Sequence, residues 1–270
     1  KIALFIFACL TIQCSSEMQE APVAKKLKKI LEIHDDQRID NYFWMRLSDE
    51  QKEAEQPDQQ TQDVLDYLHA ENDYRKYVMK PTEKLQKTIY DEIIGRIKQD
   101  DSSVPITVNG YTYYTRFEKG QDYPYYCREK AEDNAKEEVM LDVPTMAEGY
   151  AYFAIGGRSV SENNKILAYA IDTVSRREYT LYFKNLETGE ILSDKIENTT
   201  GGITWANDNQ TVFYVKKDPQ TLRAYQIFKH RLGTDTSDDE LVYEEKDETF
   251  SCWISKTKSR QYLMIGASQT

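Results

Sequence analysis

The sequence predicts a mainly β protein, an incomplete β-propeller of about four blades preceded by an α-helical N-terminal extension. Three observations support this. The chain holds 20 Tyr against 9 Phe and 3 Trp, and Tyr suits half-buried strands because its ring packs while its hydroxyl reaches water. From residue 100 onward, short alternating runs replace helical spacing. Within that region a strand-rich unit is repeated.

The repeat has two well-matched copies and a weaker third, each a polar turn followed by an apolar strand. The copies begin at Ser161, Ala206 and Ser255, so the period is about 45–50 residues, as in propeller blades. One four-stranded blade cannot bury both of its faces, so neighbouring blades must stack. With a partial first unit near Tyr111, the repeat predicts about four blades over residues 100–270.

Two helices are predicted in the extension, residues 17–99. The first begins near Pro57 and Asp58 and runs to about Met79. A break at Pro81 precedes the second helix, for which Thr82 is the expected N-cap.

The second helix carries one apolar stripe, with a residue at every fourth position. Such a stripe predicts a packing face and no cofactor role. We interpret the stripe, together with the aromatic and charged patch at residues 38–46, as a surface that docks on a further domain. The stripe consists of Leu85, Ile89, Ile93 and Ile97.

The first sixteen residues are typical of an export leader. Lys1 precedes an apolar run at residues 2–12, which is too short for a membrane span of about 20 residues. Cys14 follows this run and is a candidate lipid-attachment residue of the bacterial lipoprotein type, with cleavage after Ser16 as the alternative. We therefore expect an exported protein, periplasmic or lipid-anchored to the bacterial envelope, with membrane contact only through that anchor.

The charge balance argues against nucleic acid as a partner. The net charge is −11, whereas binding to a phosphate backbone needs clustered Lys and Arg. An acidic surface favours cationic partners, although it also serves solubility alone.

No metal, cofactor or nucleophile pattern is present in the sequence. Cys127 and Cys252 are far apart and form no Cys/His cluster, so two isolated buried thiols are favoured and a disulfide between them is the alternative.

Ser159 and Ser268 lie in incomplete versions of the G-x-S-x-G elbow and are interpreted as strand or turn serines. Structural or solvent roles are expected for the histidines, and a solvated hairpin tip for the acidic run at residues 235–240. The histidines are His34, His69 and His230.

Several stretches, in order along the chain, carry a resemblance to a known family. With them, the chain from about Pro22 to its end resembles the prolyl oligopeptidase family of serine peptidases, and within it the oligopeptidase B group. The stretches are residues 38–46 (RIDNYFWMR), 67–72 (YLHAEN), 100–105 (DDSSVP), 109–116 (NGYTYYTR), 123–128 (YPYYCR), 205–209 (WANDN) and 230–233 (HRLG).

The resemblance implies a seven-bladed propeller paired with a C-terminal α/β-hydrolase domain, which is absent from this chain. The Ser, Asp and His of such an enzyme would then lie beyond Thr270, and no residue here inherits a catalytic role. The implied partners are short peptides cleaved after Lys or Arg, to which the propeller gates access, and the missing hydrolase domain. No cofactor is implied. The alternative interpretation is a stand-alone propeller that serves as a binding module.

Overall fold

The computed structural model describes residues 19–269, and the chain divides between Ile97 and Lys98 into two compact units. The first unit is a hairpin followed by helices. Helices α2 and α3 correspond to the two predicted helices, whereas the hairpin and α1 were not predicted. The elements are β1 (Lys29–Ile33), β2 (Asp36–Asp40), α1 (Asp49–Glu53), α2 (Gln59–Met79) and α3 (Glu83–Arg96), with 3-10 turns at Phe43–Met45 and Lys80–Thr82.

The starts of the two long helices differ. Asp58 caps α2, because its carboxylate accepts a hydrogen bond of 2.7 Å from the backbone N–H of Thr61. Thr82 does not cap α3, so that prediction was wrong. Its hydroxyl donates to the carbonyl of Met79 and accepts from the amide of Gln86. A 3-10 turn keeps the chain helical between α2 and α3, so α3 has no free end of the kind that a side chain caps.

The apolar stripe lies on α3 but is not packed within the described residues. Leu85, Ile89 and Ile93 are 59%, 47% and 54% exposed. Ile97, the predicted fourth member, follows the last helical residue and has an extended backbone, with ψ at 122°. The predicted packing role is therefore not fulfilled by the part of the chain that the structure describes.

The second unit consists of antiparallel blades. Blade 1 contains β3 (Asp101–Ser102), β4 (Ile106–Val108), β5 (Tyr111–Phe117), β6 (Tyr125–Lys130) and β7 (Glu138–Asp142), followed by α4 (Val143–Met146). Blade 2 contains β8 (Ala154–Val160), β9 (Ile166–Asp172), β10 (Tyr179–Asn185) and the start of β11 (Ile191–Trp205). Blade 3 contains the end of β11, β12 (Thr211–Lys217), β13 (Ala224–Arg231) and β14 (Glu240–Glu244). Blade 4 is represented by β15 (Phe250–Lys256) and β16 (Leu263–Gln269).

The predicted incomplete propeller is confirmed, and one detail of blade 1 differs from the prediction. Blade 1, expected as a partial unit, has a full set of strands, because β3 and β4 pair with successive parts of β5 and act as one interrupted first strand. Blade 4 has two strands within residues 19–269.

Strand β11 is shared by two blades. Its first part pairs with β10 and its last part with β12, so blades 2 and 3 form one seven-stranded sheet. The strand bends at Gly201, where φ is +81°, a conformation that glycine adopts without steric cost. A Cβ at Gly157 in β8 would lie 2.0 Å from the carbonyl oxygen of Gly201, so the first strands of blades 2 and 3 approach too closely there for any side chain.

The apolar core of the second unit lies between blades. Each fully buried Leu or Phe contributes about 1.5–3 kcal/mol, so the blade interfaces are the main source of stability. Between blades 1 and 2 lie Met140, Leu141, Val143, Ala147, Phe153, Leu167 and Tyr169. Between blades 2 and 3 lie Ala168, Ala170, Leu181, Phe183, Ile196, Trp205, Val212 and Tyr214. Between blades 3 and 4 lie Val215, Ile227 and Cys252.

A buried charged network joins blades 2 and 3. His230 in β13 is fully buried, and its ring nitrogens lie 2.7 Å from the carboxylate of Asp239 and 3.0 Å from that of Asp194. Asp239 also accepts a hydrogen bond from the hydroxyl of Tyr214, and Asp194 accepts one from the backbone N–H of Gly233. Each ring nitrogen of His230 therefore faces a carboxylate oxygen of a different aspartate.

Replacing His230 by Leu tests this network. The variant leaves two buried carboxylates without their shared partner, so we expect a loss of about 3–5 kcal/mol in the free energy of unfolding. Urea unfolding followed by tryptophan fluorescence measures this loss. The control is His69→Leu on the exposed surface of α2, which should change stability by less than about 0.5 kcal/mol. Equal effects of the two substitutions would contradict the network.

Candidate functional site

The first two strands of each blade are joined by a tight turn, and each of the four turns holds a residue in the left-handed region. In three of them the residue is asparagine, which tolerates positive φ because its short amide bonds locally. The fourth turn has an arginine there instead. The residues are Asn109, Asn164, Asn209 and Arg260, with φ of 50°, 63°, 60° and 59°.

These turns are hydrogen-bonded to one another in sequence. The amide of Asn164 donates to the carbonyl of Asn109 at 2.9 Å, joining blades 1 and 2. Asn209 accepts from the backbone N–H of Asn163 at 2.7 Å, joining blades 2 and 3. Asn207 donates to the carbonyl of Arg260 at 3.0 Å, joining blades 3 and 4. The polar turn of each repeat therefore serves the contact between neighbours.

Arg260 reaches beyond its neighbouring blade. Its guanidinium donates to Asn109 of blade 1 and to Glu162 of blade 2, both at 2.7 Å, while Lys256 pairs with the other oxygen of Glu162 at 2.6 Å. We call Asn109, Glu162, Lys256 and Arg260 the turn cluster. Burial disfavours the ionised form of Glu162, but the hydrogen bonds from Lys256 and Asn109 and the charges of Lys256 and Arg260 hold its pKa below the ordinary value.

A groove of about 690 Å³ opens beside the turn cluster. Tyr113 and Tyr126 form part of its wall. Arg158 in β8 lies over the face of Tyr126, with its guanidinium carbon 3.6 Å from the ring centroid. We call this the basic groove, because one acidic side chain, Glu162, lies among four basic ones. The basic side chains are Arg158, Lys256, Lys258 and Arg260.

The serines and histidines singled out in the sequence lie apart. Ser159 is within β8, where its carbonyl accepts from the indole of Trp205, and Ser268 is within β16. Neither is at a strand-to-helix turn. His34 is in the β1–β2 turn, at a φ of 55°. His69 is exposed on α2. Cys14 lies outside the described residues.

The acidic run at residues 235–240 is only in part a solvated tip, which corrects the prediction. Asp239 is withdrawn from solvent, with 2% of its side chain exposed, because it accepts from His230 and Tyr214. Sequence reasoning missed Asp194 and Asp239 as partners of His230, since they are distant in the chain or hidden among other acids. It also missed the basic groove, for which the arginine in the third repeat copy was the available signal.

Cys127 and Cys252 are unpaired buried thiols, in agreement with the favoured interpretation and not with a disulfide. Burial raises the pKa of the Cys127 thiol to about 12, so this thiol is protonated and unreactive at neutral pH. Within residues 19–269 no cluster of His, Cys, Asp and Glu suits a metal ion. No helix among the described residues is long and apolar enough to cross a membrane.

Comparisons with known proteins agree with this architecture. The family profile described as the N-terminal β-propeller domain of prolyl oligopeptidase matches residues 22–270. The chain is 41% identical over 263 residues to dipeptidyl aminopeptidase BI of Pseudoxanthomonas mexicana and 33% identical over 254 residues to protease 2 of Moraxella lacunata. Each match covers 92% of this chain and 35% of the relative.

Comparison with a solved structure agrees with these sequence matches. Oligopeptidase B from Leishmania major superposes with a TM-score of 0.81 at 31% identity, over 92% of this chain and 36% of that one. Blades stacked through apolar interfaces, with polar turns bonded in series, define the second unit as part of a propeller domain. The chain belongs to the prolyl oligopeptidase family, and the resemblance identified from its sequence is confirmed. It spans about a third of the length of these relatives.

Proposed function

We propose that this chain is the non-catalytic front part of a serine peptidase, in which the propeller gates access of short peptides that are cleaved after Lys or Arg. The main support is a family match over residues 22–270 in a chain that corresponds to 35% of the relatives it resembles. The catalytic Ser, Asp and His would then belong to a hydrolase domain that follows Thr270. The acidic net charge of −11 would favour the approach of cationic substrates.

A second mode of cleavage has an observation in its favour. One relative, at 41% identity, is named dipeptidyl aminopeptidase BI, a name that denotes removal of dipeptides from an amino terminus. Internal cleavage after Lys or Arg and dipeptide removal differ in whether they need a free amino terminus. A stand-alone propeller that binds partners without hydrolysis is the non-enzymatic alternative.

The docking partner that we propose for α3 is the hydrolase domain of the same protein. The support is the stripe of Leu85, Ile89 and Ile93, whose side chains are about half exposed. An exposed row of this kind is stabilising only when a partner removes it from water. We also propose that residues 1–16 direct export, with Cys14 as the lipid-attachment residue or Ser16 as the last residue removed.

Chromogenic peptides ending in Arg or Lys test the catalytic proposal. The longer protein should hydrolyse them, whereas the 270-residue chain should show no turnover because it lacks the nucleophile elbow. The control is the longer protein with its elbow serine replaced by alanine. Comparison of blocked with free amino termini separates the two modes of cleavage. Turnover by the pure 270-residue chain would contradict the proposal.

Ile89→Glu in the longer protein tests the docking of α3. A carboxylate placed at a buried contact should lower the stability of the longer protein by on the order of 3 kcal/mol, while the 270-residue chain should be unaffected because Ile89 is exposed there. Thr88→Glu adds the same charge at a neighbouring exposed position and is the matched control. Thermal unfolding of the four proteins gives the comparison, and equal effects of the two substitutions in the longer protein would exclude docking through the stripe.

Intact mass measurement of the mature protein from its native cells tests the leader. We expect a chain that begins at Cys14 and carries acyl groups, or one that begins at Glu17. A Cys14→Ser variant should abolish the acylated form only. A mature chain that retains residues 1–16 would overturn the export proposal.

A further inference from the structure

We propose that the basic groove binds a carboxylate of the peptide that enters the propeller. The inference rests on the proposed function, because it assigns to this groove a role in recognising peptide substrates. Four basic side chains and one acidic side chain line the groove, in a protein whose net charge is −11. The groove is therefore locally basic in a protein that is acidic as a whole. A ligand meets negative charge on approach and positive charge inside the groove.

Two of the four cations are positioned by the turn cluster. Lys256 and Arg260 both bond to Glu162, at 2.6 and 2.7 Å, and Arg260 also donates to Asn109. One carboxylate neutralises only one of these two charges. The remaining positive charge is held in a fixed place, so little ordering is needed when an anion binds.

The other two cations have no carboxylate partner. Among residues 19–269, no carboxylate bonds to Arg158 or Lys258. The guanidinium of Arg158 lies over Tyr126 at 3.6 Å, and this cation–π contact fixes its plane while leaving its N–H edge free. A guanidinium that is stacked on a ring with its N–H edge free is able to bind a carboxylate through two parallel hydrogen bonds.

The backbone at Arg260 supports a role for its side chain. Positive φ is uncommon for arginine and suits asparagine, which occupies the equivalent position in the turns of blades 2 and 3, as Asn164 and Asn209. The turn itself would therefore form with asparagine at residue 260. What arginine adds is its guanidinium, which contacts blades 1 and 2 and lines the groove.

The lining chemistry favours a peptide carboxylate over a polyanion. Tyr113 and Tyr126 present aromatic surface beside the cations, which suits the backbone and apolar side chains of a peptide. A nucleic acid would extend well beyond the groove over an acidic surface, where its phosphates are repelled. The carboxylate is either the carboxyl terminus or an acidic side chain, which have the same chemistry.

The test is equilibrium binding to the longer protein with its elbow serine replaced by alanine, so that no peptide is consumed. The probes are one Arg-containing hexapeptide as a free acid, the same peptide as its amide, and the amide with one internal Glu. At low ionic strength we expect the free acid or the Glu peptide to bind at least fivefold more tightly than the plain amide. Which of the two does so identifies the source of the carboxylate.

Variants locate the effect in the groove. Arg158→Ala with Lys258→Ala should lower the affinity ratio between the tighter-binding carboxylate peptide and the plain amide toward one, and Arg158→Lys should retain more of this ratio. The matched control is Arg176→Ala, which removes an exposed arginine between β9 and β10. The proposal would be overturned if the elbow-serine variant without groove substitutions bound all three peptides equally. It would also be overturned if the affinity ratio were unchanged in the double variant.

Hydrolysis by the longer protein with its elbow serine intact (the parent), measured in parallel, distinguishes failure of the groove proposal from failure of the peptidase proposal. If the parent cleaves short chromogenic peptides but the affinity ratio is one, the groove proposal fails and the peptidase proposal stands. If no peptide is cleaved but the ratio is high and falls in the double variant, the groove binds carboxylates and the peptidase proposal fails.

Discussion

Contact between neighbouring blades supplies nearly all of the buried apolar side chains of the second unit, which lie in three clusters at the three interfaces. A single blade is too thin to bury either face alone, so each sheet depends on the next one. The polar turns follow the same logic, because Asn164, Asn209 and Asn207 each bond to a neighbouring turn. Apolar burial and turn-to-turn hydrogen bonds therefore stabilise the same contacts from the middle of the blade to its edge.

Ionisable groups are used in two different ways within this arrangement. Between blades 2 and 3, His230 is buried with the carboxylates of Asp194 and Asp239, and each of its ring nitrogens has one of them as its partner. At the turn cluster, Glu162 meets two cations at partial exposure, and further cations nearby have no acidic partner. The first arrangement completes a core, whereas the second leaves positive charge available to a ligand.

Much of the fold could be predicted because it is encoded locally. The spacing of Leu85, Ile89 and Ile93 determines a helix face, and the repeated turn-and-strand pattern after Ser161 determines blades. The predicted N-cap role of Thr82 was wrong because a 3-10 turn continues the helical path through the expected break. Asp194 and His230 are 36 residues apart, and Arg260 and Asn109 are 151 apart. No periodicity relates such pairs, since only the closing of blades on one another brings them together.

The continuous course of β11 has a mechanical consequence. Blades 2 and 3 share one strand and one hydrogen-bonded sheet, with no loop between them at which the chain could flex. Blades 1 and 2 are instead joined through α4, and blades 3 and 4 through the irregular stretch at residues 245–249. We therefore expect relative motion of the blades to occur more readily at these two connections than between blades 2 and 3, which the shared sheet holds together.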